Sequence, residues 1–315
     1  MGRDLHTNVT EFIFLGFSDL SLTLQAIVFN FFLFSYILTL LGNGVIILTI
    51  SLDPAFQTPM YFFLRNLSFL ELCLTTVTVP KVLHDFLSGN RSISFIGCAT
   101  QMFVFFSVGV SECVFLLVMA FDRYVAICHP LRYMSVMSNT LCYKLTIGSW
   151  MVGFLVSFGQ TTFIFTLPYC NSNHLDHFFC DIPPLLSLAC ADTFINELCV
   201  FIACLVGATI PFLFIICSYI NILSSIMRIH SAEGRQKALS TCVSHLTSVI
   251  LFYGTAMFVH LRLRSQRSPF NDRMISLFYC ILIPLINPLI YSLRNKDMNK
   301  ALGKIFLDFP KQVQY

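Results

Sequence analysis

Seven mainly apolar stretches, each about 20 residues or longer, dominate this chain. They run approximately Leu24–Ile50, Pro59–Val79, Ile96–Ala126, Leu141–Leu167, Ile195–Met227, Ala238–Leu261 and Met274–Leu293. A helix rises about 1.5 Å per residue, so about 20 apolar residues cross a hydrocarbon layer about 30 Å thick. Composition excludes water as the solvent for most of the chain. Of 315 residues 56% are hydrophobic and 11% charged, against about 25% charged in a soluble domain. The 34 Phe and a mean hydropathy of +0.77 exceed what one soluble core of this size can bury. The runs lack the two-residue alternation of a membrane barrel, and in lipid a helix satisfies its backbone groups within its own segment. Pro59, Pro80, Pro211, Pro284 and Pro288 then mark helix ends or kinks. The expected fold is an all-α membrane protein: one seven-transmembrane-helix bundle over 24–293, an outer tail 1–23 and an inner tail 294–315.

Orientation follows from charge and from sequons. With the N-terminus outside, 12 of the 19 Lys and Arg fall on the inner side, as the positive-inside rule favours. Arg262, Arg264, Arg267 and Arg273 in the last outer loop narrow that margin. Asn8-Val9-Thr10 and Asn90-Arg91-Ser92 are glycan acceptors that only an outer location makes usable. A third sequon, Asn66-Leu67-Ser68, lies inside a span and arises by chance. Met1–Leu20 has no basic start followed by an apolar run, so no cleavable signal peptide is expected and the first span serves as the targeting signal. Of 13 cysteines, Cys98, Cys170, Cys180 and Cys190 lie on the outer face, where an oxidising exterior permits disulfides. The others fall in spans and behave as small apolar residues.

At the inner end of the third span stands Met119-Ala120-Phe121-Asp122-Arg123-Tyr124-Val125-Ala126-Ile127-Cys128. Four more blocks keep a fixed order around it: Thr58-Pro59-Met60-Tyr61-Phe62-Phe63-Leu64, Ser218-Tyr219, Lys237-Ala238-Leu239-Ser240-Thr241-Cys242, and Pro284-Leu285-Ile286-Asn287-Pro288-Leu289-Ile290-Tyr291. With Gly42-Asn43 and Trp150, these blocks resemble the odorant receptors, the tetrapod-type (class II) branch of the rhodopsin-like G-protein-coupled receptors. The resemblance spans Leu24 to about Leu307. Departures are small: Phe56-Gln57 replaces the usual Leu-His, Phe121 a frequent Tyr, and Leu239 a common Phe. In the sixth span Phe252-Tyr253-Gly254 puts a Tyr where most rhodopsin-like receptors have a Trp, as odorant receptors do.

The resemblance implies a switch at the inner face. Asp122 would neutralise Arg123 in the silent receptor, beside Tyr124, and Tyr219 and Tyr291 would turn toward Arg123 in the active one. Asn287-Pro288 frees a carbonyl one turn earlier and gives the seventh helix a hinge. His245 could bond the third helix in one state, or simply be a satisfied core histidine. Glu71 and Glu112 sit within spans, where a carboxyl group is expensive unless partnered. Their positions resemble those bracketing the central ion site of such receptors. A shared cation, such as sodium, or a shared proton is expected there, with Asn43, Ser68 and Asn287 as partners; no other cofactor is expected.

By the same resemblance the ligand sits between the outer halves of spans three, five, six and seven. The third span offers Met102, Phe105, Phe106, Gly109 and Val110 on one face. Opposite them come Ala203 and Gly207, then Tyr253, Ala256 and Val259, then Leu277 and Cys280. This lining has no counter-ion for a charged ligand, so a volatile, mostly apolar molecule with one polar group is expected, held by Tyr253 or His260. Cys98–Cys180 resembles the disulfide tying span three to the outer loop, and Cys170–Cys190 the additional pair of odorant receptors. His174, His177 and Asp181 near Cys180 suggest a soft-metal site, but a disulfide at Cys180 removes its thiolate, and no metal is expected.

Other classes fit less well. A transporter predicts repeated half-structures, and an intramembrane enzyme predicts motifs such as His-Glu-x-x-His that are missing here. A receptor for a non-odorant small molecule or lipid remains open. The expected partners are an odorant, a heterotrimeric G protein of the stimulatory class with cyclic AMP output, and plasma-membrane lipid; nucleic acid is not among them. Asn295–Phe306 alternates Lys with Met298, Leu302, Ile305 and Phe306, as a short amphipathic interfacial helix does.

Overall fold

The computed structural model describes residues 9–170, 172–260, 269–294 and 298. Among these, seven helices are long and apolar enough to cross a membrane. They are α1 (Leu22–Leu52), α2 (Pro59–Ser88), α3 (Phe95–Cys128), α4 (Asn139–Phe165), α5 (Phe194–Met227), α6 (Ala232–Val259) and α7 (Phe270–Tyr291). Each coincides with one apolar run of the sequence, and the fold is a seven-helix membrane bundle.

Helix ends follow local chemistry. The hydroxyls of Ser21, Ser94 and Ser138 accept hydrogen bonds from the amides of Leu24, Gly97 and Leu141, capping α1, α3 and α4. Pro80 does not end α2, which continues to Ser88 and stops at Gly89 in the left-handed region, φ 69°. Single π turns, Leu205–Thr209 in α5 and Phe278–Leu282 in α7, precede Pro211 and Pro284. Pro211 has no amide to offer the carbonyl of Gly207, and the Cys113 thiol of α3 donates to that carbonyl at 3.2 Å.

α3 is the axis of the bundle: 61% of the residues in its most apolar stretch are buried, against 11% in α5. Phe34 and Leu41 of α1, Leu155 and Phe158 of α4, and Leu213 and Phe214 of α5 face outward, an apolar surface suited to lipid. α3 and α4 approach closely at Gly153, where a Cβ would overlap the Ser111 hydroxyl and the Ser107 carbonyl.

A small sheet caps the end of the bundle that the sequence leads one to expect outside, called the outer end. β1 (Glu11–Phe14) lies between β2 (Ser92–Ser94), antiparallel to it, and β3 (His174–Leu175), parallel to it. The two-residue period of a strand turns Phe12 and Phe14 inward, where they pack with Met102, Tyr169, Leu175 and Leu185. Part of the segment expected as a tail is therefore the central strand of a lid. Gly16 follows at φ 49°, a conformation that a side chain would strain. At the inner end Met298 is buried against Ile46, Ile50, Phe56, Tyr61 and Leu64. The rest of the expected amphipathic helix lies outside the described residues.

Candidate functional site

The outer site is an aromatic cluster between α3, the loop before α5, and α7. The Phe105 ring lies 5.6 Å from Phe106, 4.9 Å from Phe179 and 5.8 Å from Tyr279. Phe105, Tyr253 and Cys280 are buried in one apolar core, with Phe106 and Leu277 packed against it. Gly109, Val110, Ala256 and Val259 are half-buried, and a Cβ at Gly109 would meet open space. Met102 belongs instead to the lid core, beside Cys98 and Cys180. On α5 the core uses Cys204 and Ala208, while Ala203 is half-buried and Gly207 exposed. A spacing of 3.6 residues does not hold across the π turn at this point. The side chain of His260 lies outside the described residues.

Tyr253, expected to hold the ligand's polar group, donates its hydroxyl to the carbonyl of Cys113 at 2.7 Å. A second polar group of side chains emerges that pattern and resemblance did not indicate. His177, fully buried in the outer loop, bonds Ser276 of α7 at 3.0 Å; Ser276 bonds Tyr279 at 2.8 Å; Tyr279 donates to Asp181 of the loop at 2.9 Å. Burial holds the His177 imidazole down to about 4, well below its usual range. The sequence signal for it is the i, i+3 spacing of Ser276 and Tyr279 on one helix face, adjacent to the expected lining residues Leu277 and Cys280.

Arg273 fastens the lid to α7. Its guanidinium donates to the Gly16 carbonyl, lies 3.3 Å from Asp19 and 3.6 Å from Asp176, and covers the Phe17 ring at 6.0 Å. The hydrogen bond from Arg273 lowers the Asp19 carboxyl below its ordinary value. Gln101 of α3 joins the lid to the bundle, accepting from the Cys180 amide at 3.0 Å and donating to the Val77 carbonyl at 3.0 Å. Cys98 and Cys180 are disulfide-bonded with Cα atoms 5.5 Å apart, and Cys170 and Cys190 with Cα atoms 5.9 Å apart. Asn90 is exposed in the turn before β2, and Asn8 lies outside the described residues.

The central site holds Glu71 of α2 and Glu112 of α3, both fully buried. The Asn287 amide donates to Glu71 and accepts from Ser248 at 2.8 Å. Three of the four carboxyl oxygens find no donor among the described residues. Asn43 points elsewhere, to the Thr39 and Pro284 carbonyls.

At the inner site the Arg123 guanidinium lies 3.4 Å from Asp122, and the Tyr133 hydroxyl donates to Asp122 at 2.8 Å. Arg123, Met119, His245 and Tyr291 line a cavity of about 40 Å³. The Tyr219 hydroxyl bonds Nδ1 of His245 at 2.8 Å, and Nε2 of His245 bonds the Leu116 carbonyl at 3.1 Å. A carbonyl only accepts, so Nε2 carries the proton and Nδ1 accepts from Tyr219. His245 thus joins α3, α5 and α6. Tyr124 turns away to His129, 3.3 Å off, and Pro288 is buried in α7.

The family model for olfactory receptors matches residues 32–309. Human (Homo sapiens) olfactory receptor 10A7 is 50% identical over 299 residues, covering 95% of this chain and 94% of its own. Human olfactory receptor 10AG1 is 49% identical over 295 residues, 94% of this chain and 98% of its own. Human olfactory receptor 10C1 is 50% identical over 296 residues, 94% of this chain and 95% of its own. Five ordered motifs, seven spans and near-complete coverage agree, and the chain belongs to the olfactory receptor family, G-protein-coupled membrane receptors rather than enzymes.

Proposed function

We propose that this receptor binds a small, mostly apolar volatile molecule in the outer half of the bundle and activates a G protein of the stimulatory, olfactory type, raising cyclic AMP. The observation that carries the reading is the lining: Phe105, Phe106, Phe179, Tyr253 and Tyr279 supply aromatic surface, and the nearby Asp181 is already bonded to Tyr279 and the Ile182 amide. A charged ligand would enter this site without a free counter-ion and would lose its hydration.

Signalling requires the ligand to bind one packing of the bundle better than the other. In the silent packing Asp122, itself bonded by the Tyr133 hydroxyl, holds Arg123 at the inner end. In the active packing the Arg123 side chain is released toward the G protein, with Tyr219, His245, Asn287, Pro288 and Tyr291 rearranging around it. Glu71 and Glu112 share a cation or a proton, because two adjacent carboxylates away from water repel each other strongly. The N-terminus and the lid face the outside of the plasma membrane, and Asn8 and Asn90 carry glycans.

The test is a cyclic AMP reporter in cells expressing the receptor, read against a panel of volatile compounds. Dose-dependent signals in the native receptor and none in Arg123→Ala, at equal surface density, are expected. Signals from peptides or lipids alone would overturn the ligand assignment.

A further inference from the structure

The protons of the polar chain under the lid are all committed, and this restricts which ligands it can hold. The Phe179 amide donates to Nδ1 of His177 at 3.4 Å, so Nδ1 is an acceptor and the imidazole proton sits on Nε2, directed to Ser276. The depressed His177 value agrees with this single protonation. At the other end Asp181 accepts a hydrogen bond from the Tyr279 hydroxyl. Only one direction is then consistent along the chain: His177 donates to Ser276, Ser276 to Tyr279, and Tyr279 to Asp181. Tyr253, across the cluster, donates its hydroxyl to the Cys113 carbonyl.

What remains is acceptor capacity. Ser276, Tyr279 and Tyr253 each keep a lone pair, and each Asp181 oxygen, bonded once, accepts a second donor. Tyr279 places this capacity beside the candidate pocket, its ring 5.8 Å from Phe105 and 6.4 Å from Phe179. A ligand hydroxyl or thiol donates into the chain without disturbing it. From these described residues a ketone, ester or ether gains a hydrogen bond only by breaking one already made, which leaves a buried group unpaired.

We propose that the Ser276–Tyr279–Asp181 chain makes this receptor selective for ligands that carry a hydrogen-bond donor, alcohols, phenols or thiols, over acceptor-only molecules of the same skeleton. The inference rests on the proposed odorant function and specifies its ligand class. Tyr279 and Ser276 are the residues that set the specificity. Replacing Tyr279 by Phe strips the Ser276 hydroxyl of its acceptor and leaves it free to donate, so acceptor-only ligands gain. Replacing Ser276 by Ala frees the His177 Nε2 proton with the same consequence.

The experiment compares alcohol, ketone and methyl ether on shared skeletons: menthol, menthone and menthyl methyl ether; borneol, camphor and bornyl methyl ether; cyclohexanol, cyclohexanone and methoxycyclohexane. Cyclic AMP is recorded for the native receptor, Tyr279→Phe and Ser276→Ala, with surface staining. The alcohols are expected to be more potent by about tenfold, the ratio one uncompensated hydrogen bond sets, and the variants should narrow that to about threefold. If Tyr279→Phe fails to reach the surface, Ser276→Ala decides. Ketones or ethers as potent as alcohols in the native receptor, or an unchanged ratio in a surface-expressed variant, would overturn the selectivity and leave the odorant reading standing. Silence toward every compound from a receptor present at the surface would overturn both.

Discussion

Asn43 donates through Nδ2, at 3.1 Å, to the carbonyl of Pro284, the group that Pro288 leaves without an amide partner. A proline inside α7 would otherwise strand a buried acceptor, so α1 supplies the missing hydrogen bond. Gly42 makes the approach possible, because a Cβ there would lie 3.1 Å from the Pro288 ring. Asn43→Ala is expected to cost about 1–3 kcal/mol, the penalty for an unpaired buried carbonyl. A melting curve in detergent should show a Tm lowered by several degrees; an unchanged Tm would mean that water satisfies Pro284 equally well.

Glu112→Gln removes one carboxyl from the central pair and with it the reason to hold a shared cation or proton. The native receptor should lose agonist potency as external sodium replaces choline, and the variant should be indifferent to the exchange. If surface expression, agonist response and sodium response all match the native receptor, the shared-ion proposal is wrong.

Lid stability should depend on pH through His177. Burial lowers this group from an ordinary 6.5 to about 4, so as pH falls the unfolded chain takes up the proton first. Stability is unaffected above pH 6.5 and falls between 6.5 and about 4, by about 3 kcal/mol at most at about 1.4 kcal/mol per unit. The lowered Asp19 carboxyl acts in the opposite part of the range, its contribution disappearing only as pH falls below its ordinary 3.8. Thermal melts between pH 7 and 4.5 should slope downward for the native receptor and be flatter for His177→Gln. Parallel slopes would remove His177 as the cause.

Gly153→Val tests the close contact between α3 and α4. The new side chain would overlap the Ser107 carbonyl and the Ser111 hydroxyl, so α3 and α4 must separate, at a cost of about 1–3 kcal/mol or more. Surface density, scored by antibody to an outer tag, should fall several-fold. Gly148→Val on the same helix, where a Cβ meets nothing within 4 Å, should leave it unchanged.

The parts of this architecture that were legible in the sequence share one property: they depend on length, polarity or a contiguous motif. The seven spans follow from hydrophobic length alone, and Asp122-Arg123 from its position at a helix end. β1 was hidden because Glu11–Phe14 is short and its partners, Ser92–Ser94 and His174–Leu175, are distant in sequence. Ala203 and Gly207 are expected from the resemblance alone, and the π turn at Leu205–Thr209 changes which side chains of α5 turn to the core, Cys204 and Ala208 among them. The His177 ring pairs with Ser276 and the Phe179 amide, which its neighbours in sequence do not announce. Such pairings come from how a loop folds over a bundle, and local pattern carries little information about them.

Nucleotide exchange on a purified stimulatory heterotrimer, driven by receptor in lipid nanodiscs and stimulated with the most potent alcohol of the panel, tests the central claim most directly. Ligand should accelerate exchange with the native receptor and have no effect with Arg123→Ala, although both bind the alcohol. Exchange indifferent to ligand, or undiminished in the Arg123→Ala receptor, would contradict a ligand-gated switch built on Asp122 and Arg123.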